Sequence, residues 1–120
     1  MGTKKQIKVK YSPLFKEQIE ELQKIIKEKD SKFHRQLLTA IEREKGDLST
    51  NPHHGIQIKK NQIPKKYITE YGVINLWKIN LPDFWRRVYT ITGNEIEIIS
   101  ILLDFMGHKK YNKIFGYKKR

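Results

Sequence analysis

From Ser12-Pro13 to Asn51-Pro52 the apolar residues of this chain recur at helical spacing, and after Pro52 the period becomes strand-like, so helices and then strands are expected in consecutive blocks of one fold. Before the break, Phe15, Ile19, Leu22 and Ile26 form one stripe and Phe33, Leu37, Leu38 and Ile41 form another, with Lys and Glu filling most other positions. Ser12-Pro13 supplies a start signal. The serine hydroxyl can accept from the first turn's backbone N–H groups, and proline at the first helical position lacks only an N–H that has no partner there. The pattern predicts a helix over residues 13–28 and a second one capped by Asp30 or Ser31 and ended by Gly46 and Asn51-Pro52. The two make an αα-hairpin with a narrow apolar seam. Ahead of them, residues 6–11 (QIKVKY) place Ile7, Val9 and Tyr11 on one face of a short strand.

Beyond Pro52, residues 74–81 (INLWKINL), 84–92 (FWRRVYTIT) and 95–103 (EIEIISILL) read as three strands separated by Pro82-Asp83 and Gly93-Asn94. Gly93-Asn94 fits a two-residue hairpin turn in which glycine supplies a positive φ. That turn sets Thr92 opposite Glu95, Ile91 opposite Ile96, Tyr89 opposite Ile98 and Arg87 opposite Ser100. The helical hairpin is expected on the Tyr89/Ile91 face, leaving the opposite face partly open with Arg86 looking out; a bulge within FWRRV would exchange Arg86 and Arg87. Residues 56–71 stay open between a short strand at 56–60 with a loop and an irregular connection. The expected fold is α+β in a single domain over residues 1–120: an N-terminal strand, the αα-hairpin, an antiparallel sheet of three or more strands packed on it, and a short basic C-terminal segment.

Charge narrows the partners. Lys and Arg number 25 against 13 Asp and Glu, a net +12, and acidic residues thin out after Pro52 while basic ones do not. Such an excess attracts phosphate backbones. There is no cysteine, no apolar run near the ~18–20 residues of a membrane span and no apolar stretch behind Met1, so a cytoplasmic protein without membrane association is expected. Neither a Gly-rich phosphate loop nor a carboxylate cluster for magnesium is evident, so no metal and no small-molecule cofactor is expected.

The order of elements and three sequence segments resemble the RelE/ParE superfamily of prokaryotic toxins. IKVKYSPLFKEQIEEL looks like that family's strand, Tyr-Ser-Pro and amphipathic helix; WRRVYTI is similar to its aromatic-Arg-hydrophobic-hydrophobic-Tyr strand; and Asp104-Phe-Met-Gly-His-Lys-Lys-Tyr111 looks like the glycine and His/Lys/Arg/Tyr cluster after the last strand. The resemblance covers nearly the whole chain. Its RelE-like branch cleaves mRNA without a metal, usually on the ribosome, by attack of the 2′-OH on the adjacent phosphate, and is neutralised by a cognate antitoxin. An acidic antitoxin segment would complement the basic surface. The alternative is a noncatalytic protein on the same fold, either a ParE-like topoisomerase inhibitor or a basic RNA-binding domain.

On the ribonuclease reading, Arg86 and Lys109 match basic positions of the family and are expected to be catalytic with His108 and Tyr111, while Arg87, Lys110, Lys65, Lys66, Lys113 and Tyr117 are expected to contact RNA. A guanidinium suits a pair of phosphate oxygens, and imidazole is the side chain that ordinarily titrates near neutral pH. Tyr111 is the candidate for stacking on a base or bonding the 2′-OH. One branch carries a tyrosine where this chain has Phe115, with Tyr117 two residues beyond. Competing structural roles are plain for several residues: Arg87 as a fold-supporting side chain, Trp77 and Trp85 as packing, His53-His54 as a polar turn, and Tyr67 and Tyr71 as either packing or an RNA-facing loop.

Overall fold

The computed structural model of the protein describes residues 5–94 and 96–116. Strand β1 (Gln6–Tyr11) leads into α1 (Pro13–Lys29) and α2 (Lys32–Thr50). Ser12 explains the junction: its hydroxyl accepts from Phe15 N at 3.1 Å, capping α1, and donates to the Leu103 carbonyl at 2.9 Å, tying the cap to the sheet. Asp30 turns the chain in the left-handed region (φ 46°), and Ser31 caps α2 by accepting from His34 N. Gly46 does not end α2. It lies within the helix with nothing within 4 Å of where a Cβ would stand, so the helix runs on to Thr50.

The second half supplies β2 (Ile56–Gln57), α3 (Lys65–Tyr71), β3 (Trp77–Asn80), β4 (Arg86–Gly93), β5 (Glu97–Met106) and α4 (His108–Phe115). The five strands are ordered β1-β5-β4-β3-β2, antiparallel except for the parallel β1–β5 pair, so the sheet is mixed. The protein is thus α+β with its sheet packed on helices. The open segment 56–71 resolves into a two-residue strand, a 3₁₀ turn and the short helix α3, and the basic segment after the last strand is the helix α4. Its apolar residues Tyr111, Ile114 and Phe115 fall at i, i+3 and i+4 and pack toward the sheet.

Two details of the β4–β5 hairpin differ from expectation. Ile91 pairs with Ser100 rather than Ile96, a slip of four residues (100 − 96), because the connection is longer than a two-residue turn. Asn94 Oδ1 accepts from the N–H groups of Ile96 and Glu97, and Gly93 (φ 148°) leaves the strand where a Cβ would stand 2.2 Å from the Glu97 carbonyl. An even slip keeps each side chain on its face. Further along, Tyr89 pairs with Leu102 and Val88 with Asp104, so Leu103 is an extra residue and the bulge lies in β5, not in FWRRV.

Both faces of the sheet are covered. On one, Phe15, Leu22, Leu37, Ile41 and Leu48 of the hairpin meet Ile79, Leu81, Tyr89, Leu102 and Phe105, with Trp77 and Trp85 packed against them. Each fully buried aliphatic or phenylalanine side chain contributes about 1.5–3 kcal/mol by leaving water. On the other, Ile58, Ile63, Tyr67, Val73, Leu76 and Tyr111 cover Val88, Leu103 and Met106, so the face expected to lie partly open carries a second core. Asp104 links the layers: its buried carboxylate accepts from Gln18 Nε2 of α1 at 2.7 Å and from the Tyr67 hydroxyl of α3 at 3.2 Å. Burial first, and then the neighbouring Asp104 charge, push the Tyr67 hydroxyl far above the usual phenol range. Among the described residues no helix is long and apolar enough to cross a membrane.

Candidate functional site

Unbroken alternation along β4 sends its two adjacent arginines to opposite faces. Arg87 shares the Tyr89 face, is wholly buried under α2, and donates from Nη1 to the Ile41 carbonyl at 3.2 Å. Its Nε and Nη2 meet no acceptor among the described residues. Burial lowers its pKa to about 10, against a smaller opposing pull from Glu44, then Tyr89, Tyr11 and Asp47. A guanidinium enclosed in this way has no surface to offer RNA, so the expected RNA contact at Arg87 is corrected to a place in the fold. Glu44 and Asp47, one turn apart on α2, also hold His54, whose Nε2 lies 2.8 Å and 3.7 Å from their carboxylates. These three are the described residues whose ligand atoms, all within 4.8 Å of one another, have the spacing of a metal site. Their proximity to buried Arg87 gives the two acids an electrostatic role of their own.

Arg86 takes the other face, half-buried, where its guanidinium lies over the Tyr111 ring at 5.7 Å from the centroid. Lys78, one strand away on β3, places its ammonium over the same ring at 5.4 Å. Neither forms an ion pair among the described residues, and Arg86 Nε meets no acceptor there; Arg86 Nη1 donates to the Trp85 carbonyl at 3.1 Å. Lys78 was not singled out from sequence. Its signal was a lone cation within the apolar run INLWKINL, at an even offset from Asn80, the residue that pairs with Arg86.

Tyr111 is the floor of this group rather than a surface for a base. It is 2% exposed and its ring stacks on Phe115 at 4.2 Å, which removes the base-stacking role expected of it. His108 is exposed at the start of α4, its ring 6.0 Å from that of Phe84. Arg86 and Phe84 line one cavity of about 490 Å³ with Asn80, Leu81 and Asp83. Lys109, Lys110 and Lys113 turn to the other side of α4, where with Lys66 and Ile114 they line a separate cavity of about 650 Å³. Thus Arg86 and Lys78 meet over Tyr111, His108 is joined to the Arg86 cavity through Phe84, and Lys109, Lys110 and Lys113 lie elsewhere.

The start of α4 breaks a local rule. His108, Lys109 and Lys110 occupy a first turn with no acidic residue, at the positive end of the helix dipole. Each like charge there costs roughly 0.3–1 kcal/mol, and a bound anion relieves it. Lys65 is exposed on α3, whereas Tyr67 is buried and Tyr71 partly so, which corrects an RNA-facing loop to a packed helix. Tyr117 lies outside the described residues.

The family model described as ParE toxin of type II toxin-antitoxin system, parDE, matches residues 9–103, from β1 to the bulge in β5. No curated protein matches the chain.

Proposed function

The chain belongs to the ParE toxin family of type II toxin–antitoxin systems, which implies a cognate antitoxin, and from that premise we propose that it is a metal-independent endoribonuclease acting on mRNA in the cytoplasm. The observation that carries this reading is the pair of cations, Arg86 and Lys78, over the buried Tyr111 ring beside exposed His108. A phosphodiester gains negative charge as the 2′-oxygen adds to phosphorus, and preset cations, these two without ion-pair partners among the described residues, favour that state over the ground state. The O2′–P bond forms and the P–O5′ bond breaks, leaving a 2′,3′-cyclic phosphate and a 5′-hydroxyl. One group takes the 2′-OH proton and another protonates the leaving oxygen. His108 serves one of these transfers. Lys109, on the outer side of α4 with Lys110, Lys113 and Lys66, binds flanking phosphates, as does exposed Lys65. Mounting these charges on a strand and a helix start, not on a loop, limits the reorganisation required during reaction.

The test is mRNA cleavage in a translation extract with its ribosomes and magnesium intact, scored for 2′,3′-cyclic phosphate ends. Wild-type protein should produce them, and Arg86→Ala should slow their appearance about 100–1,000-fold, the usual cost of removing one transition-state donor. Equal cleavage by Arg86→Ala, or new ends that carry a 3′-hydroxyl in place of the 2′,3′-cyclic phosphate, would contradict the reading. Growth arrest with intact mRNA would favour the noncatalytic alternative, inhibition of a topoisomerase.

A further inference from the structure

Phe84 occupies a position that a phenylalanine reaches only at a cost. The β3–β4 connection closes through Leu81 N–H donating to the Trp85 carbonyl at 2.8 Å, and two successive residues inside it, Asp83 (φ 56°) and Phe84 (φ 63°), stand in the left-handed region. Aspartate tolerates that region; a bulky side chain does so poorly, and glycine would occupy it freely. Packing does not compensate, because Phe84 is 69% exposed. It is also the one exposed Phe, Trp or Tyr among the described residues.

Its location supplies a reason. Phe84 lines the same cavity as Arg86, and its ring meets that of His108 edge to face at 6.0 Å and 70°. An exposed aromatic face beside a cation without an ion-pair partner is the combination that holds single-stranded RNA, with the phosphate on the charge and a base on the ring. Tyr111, the residue whose chemistry suggested stacking, is closed off by Phe115. We propose that Phe84 is the stacking platform for a nucleobase flanking the phosphate held by Arg86, its backbone kept in a disfavoured conformation to present the ring. The inference rests on the endoribonuclease reading and adds to it a base subsite.

The experiment uses the full chain and a short single-stranded RNA that carries 2-aminopurine and is 2′-O-methylated throughout, so that it cannot be cleaved. Binding is followed by anisotropy and stacking by 2-aminopurine quenching at one fixed salt concentration. Phe84→Leu keeps apolar bulk without a π face and should weaken binding roughly 5- to 150-fold with loss of quenching, while Phe84→Trp should retain both. Phe84→Gly should weaken binding equally yet melt no lower than wild type, because glycine removes the backbone cost; that separates loss of a subsite from loss of folding. If wild type binds and quenches but Phe84→Leu does the same, the inference alone is overturned, and the ring is left for an apolar side chain of a protein partner. If wild type does not bind the RNA, the endoribonuclease reading fails and the subsite fails with it.

Discussion

Replacing Arg87 by methionine should make the protein more stable, although it removes the most deeply buried charge facing α2. With its pKa lowered to about 10, well below the usual guanidinium range, the guanidinium is disfavoured in the folded state. At about 1.4 kcal/mol per pKa unit, that burial opposes folding by roughly 3 kcal/mol. Methionine has similar length, leaves no donor without an acceptor, and gives up the Nη1 bond to the Ile41 carbonyl at 3.2 Å, a loss of about 1–2 kcal/mol. That carbonyl sits inside α2, where the next turn's backbone serves it. The net expectation for Arg87→Met is a gain of about 1–2 kcal/mol at pH 7, read as a higher urea midpoint with an unchanged slope. The dependence on pH supplies a second readout. From about pH 10 up to the ordinary guanidinium range the unfolded wild type binds more protons than the folded one, so wild-type stability rises with pH there and the advantage of the variant shrinks; below about pH 9 the advantage should be flat. A variant less stable than wild type by 1 kcal/mol or more would refute this reasoning, and would mean that Glu44 and Asp47 compensate the buried charge in full.

Three further substitutions probe the frame that holds the site. Ser12→Ala loses both the α1 cap and the bond to the Leu103 carbonyl, and should lower stability by about 1–2 kcal/mol in urea denaturation. Tyr67→Phe takes one of the two side-chain donors from buried Asp104 and should cost about 1–3 kcal/mol by thermal denaturation. Gly55→Ala would set a Cβ 2.7 Å from both the Lys78 carbonyl and the Tyr89 hydroxyl, for about 1–3 kcal/mol, with faster amide exchange at His54 and Gly55 as the local signature.

What could be read from sequence was whatever is encoded locally. Ser12-Pro13 marked the start of α1 because capping involves residues within one turn, and the stripe from Phe15 to Ile26 marked the face it buries. The opposed directions of Arg86 and Arg87 followed from strand alternation and hold because the bulge fell in β5. The register failed for a local reason that was misjudged: Asn94 bonds forward to Ile96 and Glu97 and lengthens the turn. Other features depend on residues far apart in the chain. Helix α3 is seven residues long and is fixed by Tyr67 reaching Asp104, a partner that no pattern near Pro64 reveals. The burial of Tyr111 and the arrival of Lys78 above it require α4 to fold back over β3 and β4, and Phe84 drew no notice because backbone conformation within Pro82-Asp83-Phe84 carries no side-chain periodicity.

On the reading proposed above, Arg86, on the face away from the helical hairpin, serves RNA cleavage while its neighbour serves the fold. The most direct test of that reading is induced expression of wild type, Arg86→Ala and Arg87→Met, with growth followed and mRNA ends mapped by primer extension. New mRNA ends and growth arrest are expected from wild type and Arg87→Met and neither from Arg86→Ala. New ends from Arg86→Ala, or arrest by wild type with mRNA intact, would contradict it.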